Sequence, residues 1–111
     1  MQNKMIRIVV ESPYAGRIEE NVTYARKCMA DALHRGEAPI ASHLLYTQEG
    51  ILCDEIPEDR KLGIEAGFAW GECADYIVFY TDLGLSNGMN KAKIYWMNRK
   101  KKIIMRKLGE D

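Results

Sequence analysis

The sequence predicts an α/β fold in which helices cover both faces of a mostly parallel four-stranded sheet. Short apolar runs rich in β-branched residues alternate along the chain with segments of helical spacing. Alternating strands and helices pack most simply as a parallel sheet between two helical layers. The 111 residues fit one domain, residues 1–111, and a composition that is 47% hydrophobic argues against a disordered tail.

The first half of the chain contains two of the predicted strands and one helix. Residues 5–10 are rich in β-branched side chains, which is typical of a buried central strand. Turn residues in segment 12–16 end this strand, and apolar side chains then recur every three or four positions from Arg17. Gly36 is placed to cap that helix, and a short second strand is predicted over residues 38–41.

The second half repeats the alternation after a long connection. Residues 44–56 lack periodicity and predict a loop, and loops of this length in compact domains are commonly functional. Pro57 favours the first turn of a second helix. The apolar run at residues 76–80 predicts the third strand, followed by a helix near 89–98 and a last strand near 103–108. The predicted architecture is a small Rossmann-like (flavodoxin-like) three-layer sandwich.

Three loops are candidate ligand-binding segments, because ligands of such sheets bind beyond the carboxyl ends of the strands, where the strand order reverses. They are residues 12–16, 42–46 and 81–89. The first precedes a helix N-terminus, whose free N–H groups suit a phosphate or carboxylate. His43 is placed either to bind a ligand and transfer protons or to make a structural hydrogen bond. Asp82 is placed either to accept hydrogen bonds from sugar hydroxyls or to stabilise a turn.

No motif in the sequence predicts a cofactor or a metal ion. The Gly-x-Gly-x-x-Gly fingerprint and the P-loop lysine are absent, and no His, Cys, Asp and Glu residues have metal-ligand spacing. We therefore expect no cofactor. The three cysteines are widely spaced, which favours the reducing cytoplasm as the location. No apolar run approaches the roughly 20 residues that a membrane span needs, so we expect no membrane partner.

Basic side chains concentrate near the C-terminus, although the formal net charge of the chain is zero. Lysine and arginine dominate residues 91–111. Such asymmetry indicates either an arm that binds nucleic acid or a solvated helix end, where lysines favour the negative end of the helix dipole. Basic and aromatic residues do not interleave there in the way that stacks bases. The solvated helix end is therefore the preferred interpretation.

The loop motifs together resemble those of a known superfamily. They comprise Val-Glu-Ser-Pro-Tyr-Ala-Gly at residues 10–16, Asn21, Pro-Ile-Ala-Ser-His-Leu-Leu-Tyr at 39–46, Arg60, Gly63, Gly67, residues 73–79, and Ser-Asn-Gly-Met at 86–89. In this combination the chain resembles the nucleoside 2-deoxyribosyltransferase-like superfamily, and within it a small uncharacterised branch frequent in phages and bacteria. The resemblance extends almost end to end. It implies a ligand pocket formed by Ser12, Tyr14, Ala15, Gly16, Asn21, His43, Tyr46, Arg60, Asp82, Ser86, Asn87, Gly88 and Met89.

One residue that the resemblance implies is missing from this chain. In the enzymes of the superfamily, a glutamate on the helix after the Gly-Met pair attacks the anomeric carbon of a nucleoside and forms a glycosyl-enzyme ester. Its position falls on Ala92 when the helix is aligned through the following strand, and on Asn90 when it is aligned through the Gly-Met pair. Neither side chain is a nucleophile. Lys91 and Lys93 stand nearby instead, and a recess lined by lysines favours an anionic nucleotide over a neutral nucleoside.

Three functions compete on this basis. The preferred prediction is a non-catalytic domain that binds a nucleotide- or nucleoside-derived small molecule, for example a phage protein that sequesters a nucleotide immune signal in the host cytoplasm. The first alternative is an active N-glycosidase or nucleoside deoxyribosyltransferase that uses another carboxylate, with Asp82 and Glu65 as the candidates. The second is a nucleic-acid-binding accessory protein that uses residues 91–107.

Self-association is expected under every one of these functions. A chain this short forms a shallow pocket, and members of the superfamily often complete their site with residues of a neighbouring subunit. The candidate contacts for a homo-oligomer are Tyr95, Trp96 and Met97. The preferred function makes one demand of the structure, namely a recess at the carboxyl edge of the sheet that contains no aspartate or glutamate.

Overall fold

A computed structural model describes residues 4–110, so residues 1–3 and 111 of the predicted domain lie outside the described part. Strands and helices alternate along it, as the apolar patterns predict. The elements are β1 (Ile6–Glu11), α1 (Ile18–His34), β2 (Glu37–Ile40), α2 (Ser42–Leu45), α3 (Pro57–Cys73), β3 (Tyr76–Tyr80), α4 (Asn87–Asn98) and β4 (Ile103–Arg106). No helix within residues 4–110 has the length and apolar composition needed to cross a bilayer.

The four strands form one sheet in the order β2-β1-β3-β4, and all neighbouring strands are parallel. The predicted fold class is confirmed, and the sheet is wholly rather than mostly parallel. Val9 in the central strand β1 pairs with Ile40 of β2 on one side and with Ile77 of β3 on the other. The chain moves outward from β1 to β2 and then returns to β3 on the opposite side. The strand order therefore reverses between β1 and β3, and a crevice forms beyond their carboxyl ends.

Alternating strand side chains pack into two separate cores, one on each face of the sheet. Ile8 and Val10 lie on the face that α1 covers, where they pack with Tyr24. Val9 lies on the opposite face and packs in the core that contains Trp96 of α4. Helix α3 lies beside α4 on this second face. The result is the three-layer sandwich that the sequence predicts.

Several element boundaries differ from the predicted ones, and one short helix is new. Strands β1 and β2 are each displaced by one residue from the predicted ranges. Helix α4 begins at Asn87 rather than at Met89, because the hydroxyl of Ser86 accepts the backbone N–H of Met89 and caps the helix. Strand β4 ends at Arg106, the last residue that pairs with β3. The one-turn helix α2 begins directly after β2 and takes up the start of the predicted loop.

Helix α3 approaches its neighbours through a glycine rather than through its largest side chain. Gly71 lies directly against the indole ring of Trp96, which is only 1% exposed. Trp70 of the same helix is 50% exposed, and its indole N–H donates to the hydroxyl of Tyr46 at 2.8 Å. The absence of a side chain at position 71 therefore sets how closely α3 and α4 approach each other.

A buried ion pair connects the two outer strands on the face that α1 covers. The two terminal nitrogens of the Arg106 guanidinium donate to the carboxylate of Glu37 at 2.7 and 2.8 Å. Tyr76 donates its hydroxyl to Glu37 at 2.6 Å, and the hydroxyl of Tyr80 accepts from Arg106 at 3.2 Å. Burial by itself raises the pKa of Glu37, but the hydrogen bonds from Arg106 and Tyr76 outweigh it and hold the pKa below its ordinary value of 4.5.

Candidate functional site

A cleft of about 770 Å³ opens at the carboxyl edge of the sheet. Its walls are the loop after β1, helix α2 with the loop that follows it, helix α3, and the first turns of α4. Parallel α/β sheets bind their ligands at this edge. The predicted residues that line the cleft are Ser12, Tyr14, Ala15, His43, Tyr46, Arg60, Ser86, Asn87, Gly88 and Met89.

Two of the remaining predicted residues shape the first loop without lining the cleft. Gly16 forms the turn before α1 with a φ of 97°, a conformation that favours glycine. Asn21 is buried, and its side-chain amide donates to the backbone carbonyls of Tyr14 and Ala15 at 2.9 and 3.3 Å. Asn21 therefore fixes the loop from behind, and the ligand-facing surface belongs to its neighbours.

The two carboxylates that the sequence offers as catalytic candidates lie outside the cleft. Asp82 accepts the hydroxyl of Tyr24 at 2.6 Å and the backbone N–H of Leu108 at 3.1 Å, so it ties the C-terminal segment to α1. Glu65 is exposed on α3. Neither residue lines the cleft, so the structure gives the N-glycosidase alternative no support from these two carboxylates.

Ser12 and His43 form a hydrogen-bonded pair in the cleft. The hydroxyl oxygen of Ser12 lies 2.8 Å from Nε2 of His43, which joins the loop after β1 to helix α2. Burial lowers the pKa of His43 to about 4, so its ring is neutral at neutral pH. A neutral ring holds Ser12 in place without adding charge to the cleft. The surroundings of His43 favour its structural role over the acid–base role.

Glu11 also lines the cleft, although the sequence patterns do not single it out. It is the last residue of β1 and pairs with Phe79 of β3, so the two side chains lie on the same face of the sheet. Met89 and Ala92 of α4 pack with Phe79 on that face. Because side chains alternate along a strand, the register that places Val9 on this face also places Glu11 there. That alternation, continued one step past the apolar run, is the sequence signal for Glu11.

The carboxyl group of Glu11 is held in a poorly solvated position. The residue is half-buried, and no hydrogen-bond donor of residues 4–110 reaches its carboxylate oxygens. Burial raises the pKa of Glu11 from 4.5 to about 7. The expectation of a recess without an aspartate or glutamate is therefore wrong. The recess contains Asp54 and Asp59 on its outer wall, and at the strand ends it contains Glu11, which comes from β1 rather than from α4.

Helix α4 presents one small residue and one lysine to the cleft. Ala92 lines the cleft, whereas Asn90 is exposed outside it. Lys91 lines the cleft and Lys93 does not. The predicted lysine lining is thus reduced to one side chain.

The cleft carries charges of both signs. Its cationic residues are Arg60 and Lys91, and its acidic residues are Glu11, Asp54 and Asp59. An anionic group would accordingly be recognised by local contacts rather than by a positive field over the whole cleft. Within the described residues, no three His, Cys, Asp or Glu side chains come together as metal ligands would.

The N-terminus of α4 is capped without a charged side chain. The hydroxyl of Ser86 accepts the backbone N–H of Met89 at 3.2 Å, and the backbone N–H of Ser86 donates to the sulfur of Met89 at 3.4 Å. In this capping box a thioether replaces the usual glutamate or glutamine. The first turn of α4 contains no acidic residue, whereas the first turns of α1 and α3 contain two each. The positive end of the α4 dipole is therefore not compensated by an acidic residue of its own first turn.

Two stacked aromatic rings form part of the cleft wall. Phe68 of α3 and Tyr95 of α4 have ring centroids 3.7 Å apart and planes inclined by 8°, and both residues line the cleft. The Tyr95 ring is also covered by the guanidinium of Arg99, whose Cζ lies 3.6 Å from the ring centroid, so Tyr95 presents mainly its edge to the cleft. Among the candidate oligomer contacts, Tyr95 and Trp96 pack within the chain, whereas Met97 is 59% exposed.

Glu11→Gln is expected to stabilise the fold at alkaline pH. Because the folded-state pKa of Glu11 is about 7 and its ordinary value is 4.5, the stability of the native protein should fall as the pH rises between these values. Glutamine removes that loss. We expect the variant to be more stable by about 1–2 kcal/mol at pH 8 and unchanged at pH 4, as measured by urea denaturation. Glu19→Gln, on the exposed side of α1, is the control, and a Glu11→Gln variant no more stable than wild type at pH 8 would contradict the buried carboxyl.

Comparison with known proteins gives a family for the chain but no relative of known activity. No curated protein matches the sequence, and no solved structure matches it. The model of the family described as a domain of unknown function, DUF7768, matches residues 6–107. This match includes all four strands, all four helices and every residue that lines the cleft. Because it spans nearly the whole sequence, the chain belongs to the DUF7768 family.

Proposed function

We propose that the chain binds a nucleoside- or nucleotide-derived small molecule in this cleft. The observation that carries the proposal is the presence, in one cleft, of an aromatic wall and a cationic helix start. Phe68 and Tyr95 form the wall, and Lys91 lies at the beginning of α4. A nucleotide has the matching parts, since a sugar joins its planar base to its phosphate.

The phosphate is assigned to the start of α4. Free backbone N–H groups and the positive dipole end attract anions at a helix N-terminus, and no acidic side chain of the first turn competes for them here. Lys91 adds a charged donor on the same helix. The sugar is assigned to the polar groups between the two ends, namely Glu11, Ser12 and His43. The cleft volume of about 770 Å³ lies within the range of roughly 300–1,000 Å³ that is usual for small-molecule sites.

The nucleic-acid alternative has less support than the segment's charge suggests, because two of its basic residues make contacts within the fold, although Arg99, Lys100, Lys102 and Lys107 are exposed. Arg106 is buried against Glu37. The ammonium group of Lys101 donates to the backbone carbonyls of Glu72 and Ala74. An arm that binds the phosphate backbone needs such side chains free at the surface. These contacts also show that the basic segment is more than a solvated helix end.

Lys91→Ala is expected to weaken the binding of nucleoside 5′-monophosphates about tenfold or more, because a charged hydrogen bond to phosphate contributes about 1.5–3 kcal/mol. Binding of the corresponding nucleosides should change little. Isothermal titration calorimetry with the four common ribonucleosides and their 5′-monophosphates measures both effects. Lys93→Ala, on the same helix but outside the cleft lining, is the matched control and should leave every affinity unchanged.

Native mass spectrometry of the purified chain tests the proposal without a chosen ligand. It detects a copurified nucleotide or nucleoside and gives the mass of the assembly, so it also tests the proposed homo-oligomer. A ligand recovered chemically intact after denaturation would fit the sequestration of a nucleotide signal. If no ligand copurifies and no nucleoside or nucleotide binds with a Kd below about 1 mM, the proposed function is incorrect.

A further inference from the structure

We infer that the ligand of the cleft carries a cationic ring as well as an anionic phosphate, and that Glu11 pairs with the positive charge of that ring. This inference rests on the proposed function and narrows its ligand class to nucleotides with a positively charged base. It is carried by the carboxylate of Glu11, which lies in the cleft and finds no hydrogen-bond donor within residues 4–110.

The backbone directs Glu11 into the cleft. The residue pairs with Phe79 in the central β1–β3 ladder, so the base of its side chain is held by the middle of the sheet. The side chain lies on the face that α4 covers, and Met89 and Ala92 of that helix also line the cleft. The phosphate of the ligand is assigned to the start of the same helix. Glu11 and the phosphate position therefore belong to two walls of one cleft.

No cation within residues 4–110 neutralises Glu11. Arg60 and Lys91 line the same cleft, but neither forms an ion pair with it. Burial is the cause of the raised pKa of Glu11, so the charged carboxylate lacks compensation in the fold. A neutral ligand that displaces water from the cleft would remove the remaining solvation and leave this charge buried and unpaired. A cationic group of the ligand supplies the missing partner.

The other charges of the cleft agree with a ligand that bears both signs. Carboxyl groups outnumber cationic side chains there by three to two, namely Glu11, Asp54 and Asp59 against Arg60 and Lys91. Asp59 already accepts a backbone N–H of the preceding loop at 2.9 Å, and Asp54 belongs to that loop rather than to a strand end. A purely anionic ligand would pair with Lys91 and leave Glu11 unpaired. A ligand with separated charges pairs with both.

A cationic base carries its charge where Glu11 can reach it. Glu11 is assigned to the sugar of the ligand, and the positive charge of a pyridinium or 7-alkylpurine nucleotide lies on the ring whose nitrogen is bonded to C1′ of that sugar. The common bases are neutral at this ring and offer a carboxylate no charged partner there. Opposite charges a few ångströms apart attract more strongly in a poorly solvated site than in water. Glu11 therefore selects the cationic base over the neutral one.

Binding of a cation should also release protons from the chain near pH 7. Other titratable groups line the same cleft, namely His43 on α2, Asp54 in the following loop, Asp59 and Arg60 on α3, Lys91 on α4, and the phenols of Tyr14, Tyr46 and Tyr95. His43, with a pKa of about 4, stays neutral around pH 7, whereas Glu11, with a pKa of about 7, changes its charge there. A cation beside Glu11 lowers its pKa, so binding at pH 7 should release up to about half a proton.

The test measures the binding of matched probe pairs to the full chain at pH 7.5 by isothermal titration calorimetry. Oxidised and reduced nicotinamide mononucleotide differ by one hydride, and only the oxidised ring is positively charged. 7-Methylguanosine 5′-monophosphate and GMP form the second pair. We expect the cationic member of at least one pair to bind about tenfold or more tightly than the neutral member. In Glu11→Gln this preference should fall to within about threefold, and Glu65→Gln, exposed on α3 outside the cleft, should retain it. Titrations at pH 7 in buffers of different ionisation enthalpy measure the proton release.

The outcomes separate this inference from the proposed function. Equal affinities within both pairs, or binding of nucleotides with neutral bases alone, overturn the inference and leave the nucleotide-binding function in place. A preference for the cation that persists in Glu11→Gln overturns the role of Glu11, as does cation binding at pH 7 without proton release. If neither these probes nor the common nucleosides and nucleotides bind, the proposed function and the inference fall together.

Discussion

Glu37→Gln is expected to lower the free energy of unfolding at pH 7 by about 3–5 kcal/mol, the cost of removing one partner of a buried ion pair. Arg106 keeps its charge in the variant, and its guanidinium is then buried with two weaker contacts in place of a carboxylate. Tyr76 also loses a charged acceptor. Urea denaturation followed by circular dichroism measures the change. The double variant Glu37→Met with Arg106→Met should recover much of the loss, because it leaves no buried charge unpaired.

Glu20→Gln is the matched control for Glu37→Gln. Glu20 also pairs with an arginine, Arg17, but the contact is 3.5 Å long and the two side chains are 67% and 81% exposed. Water screens such a pair, so its loss should change the free energy of unfolding by no more than about 0.5 kcal/mol. Equal, small effects of the two substitutions would mean that the Arg106 pair contributes no more than a surface contact.

The same pair makes a prediction about acid. Burial raises the pKa of Glu37, but the hydrogen bonds from Arg106 and Tyr76 lower it more, so the pKa lies below 4.5 in the folded chain. A carboxyl with a lowered folded-state pKa stabilises the fold above its unfolded pKa and loses that contribution as the pH falls. The stability difference between wild type and Glu37→Gln should therefore shrink below about pH 4.5. Denaturation curves at pH 3 and pH 7 measure this difference.

Gly71→Ala is expected to lower the free energy of unfolding by about 3 kcal/mol, although alanine is the better helix former. A Cβ atom at this position would lie 2.2 Å from Cζ2 of Trp96 and 2.7 Å from Cη2. The indole ring is rigid and 1% exposed, so it has no space into which to move. Helices α3 and α4 must then separate, which opens the second core. Thermal and urea denaturation measure the loss.

Gly63→Ala on the same helix distinguishes this packing effect from a general effect of alanine. Its Cβ would meet only the side-chain Cδ1 atom of Leu52, at 3.4 Å, which is an ordinary contact. Alanine should therefore raise the free energy of unfolding there by about 0.5–1 kcal/mol through helix propensity. The two glycine substitutions should have opposite signs. A stabilising Gly71→Ala would show that α3 and α4 are not packed as closely as the Trp96 contact requires.

The strands are the part of the fold that sequence patterns predict best. Strand β3 agrees with the prediction residue for residue, because it is apolar on both faces and polar residues flank it. Strand β1 begins and ends one residue later than the predicted range 5–10, because a charged residue such as Glu11 at the end of an apolar run predicts the start of a loop. Helix α2 has only four residues, too few for a helical period to be seen. Its His43 also contacts Ser12, which lies far away in the sequence, and such a contact cannot be read from a local pattern.

The loops of the site were predictable, and the direction of individual side chains was not. Strand ends alone decide which loops form a ligand site in a parallel sheet, and this rule needs no coordinates. Asn21 and Asp82 were expected to face the ligand, but their side chains make hydrogen bonds within the fold. Their partners come together only through packing, so the sequence does not indicate these bonds. The aromatic wall has the same cause, because Phe68 and Tyr95 meet only when α3 and α4 lie side by side.

The thioether at position 89 separates the stability of α4 from the charge of the cleft. A glutamate at this position would satisfy the same backbone N–H of Ser86, and it would also neutralise the helix end and repel an approaching anion. Methionine makes the contact and leaves the electrostatics of the helix end unchanged. A carboxylate at residue 89 would therefore strengthen the cap and oppose the proposed anionic ligand, whereas a neutral, polarisable sulfur caps the helix without adding charge.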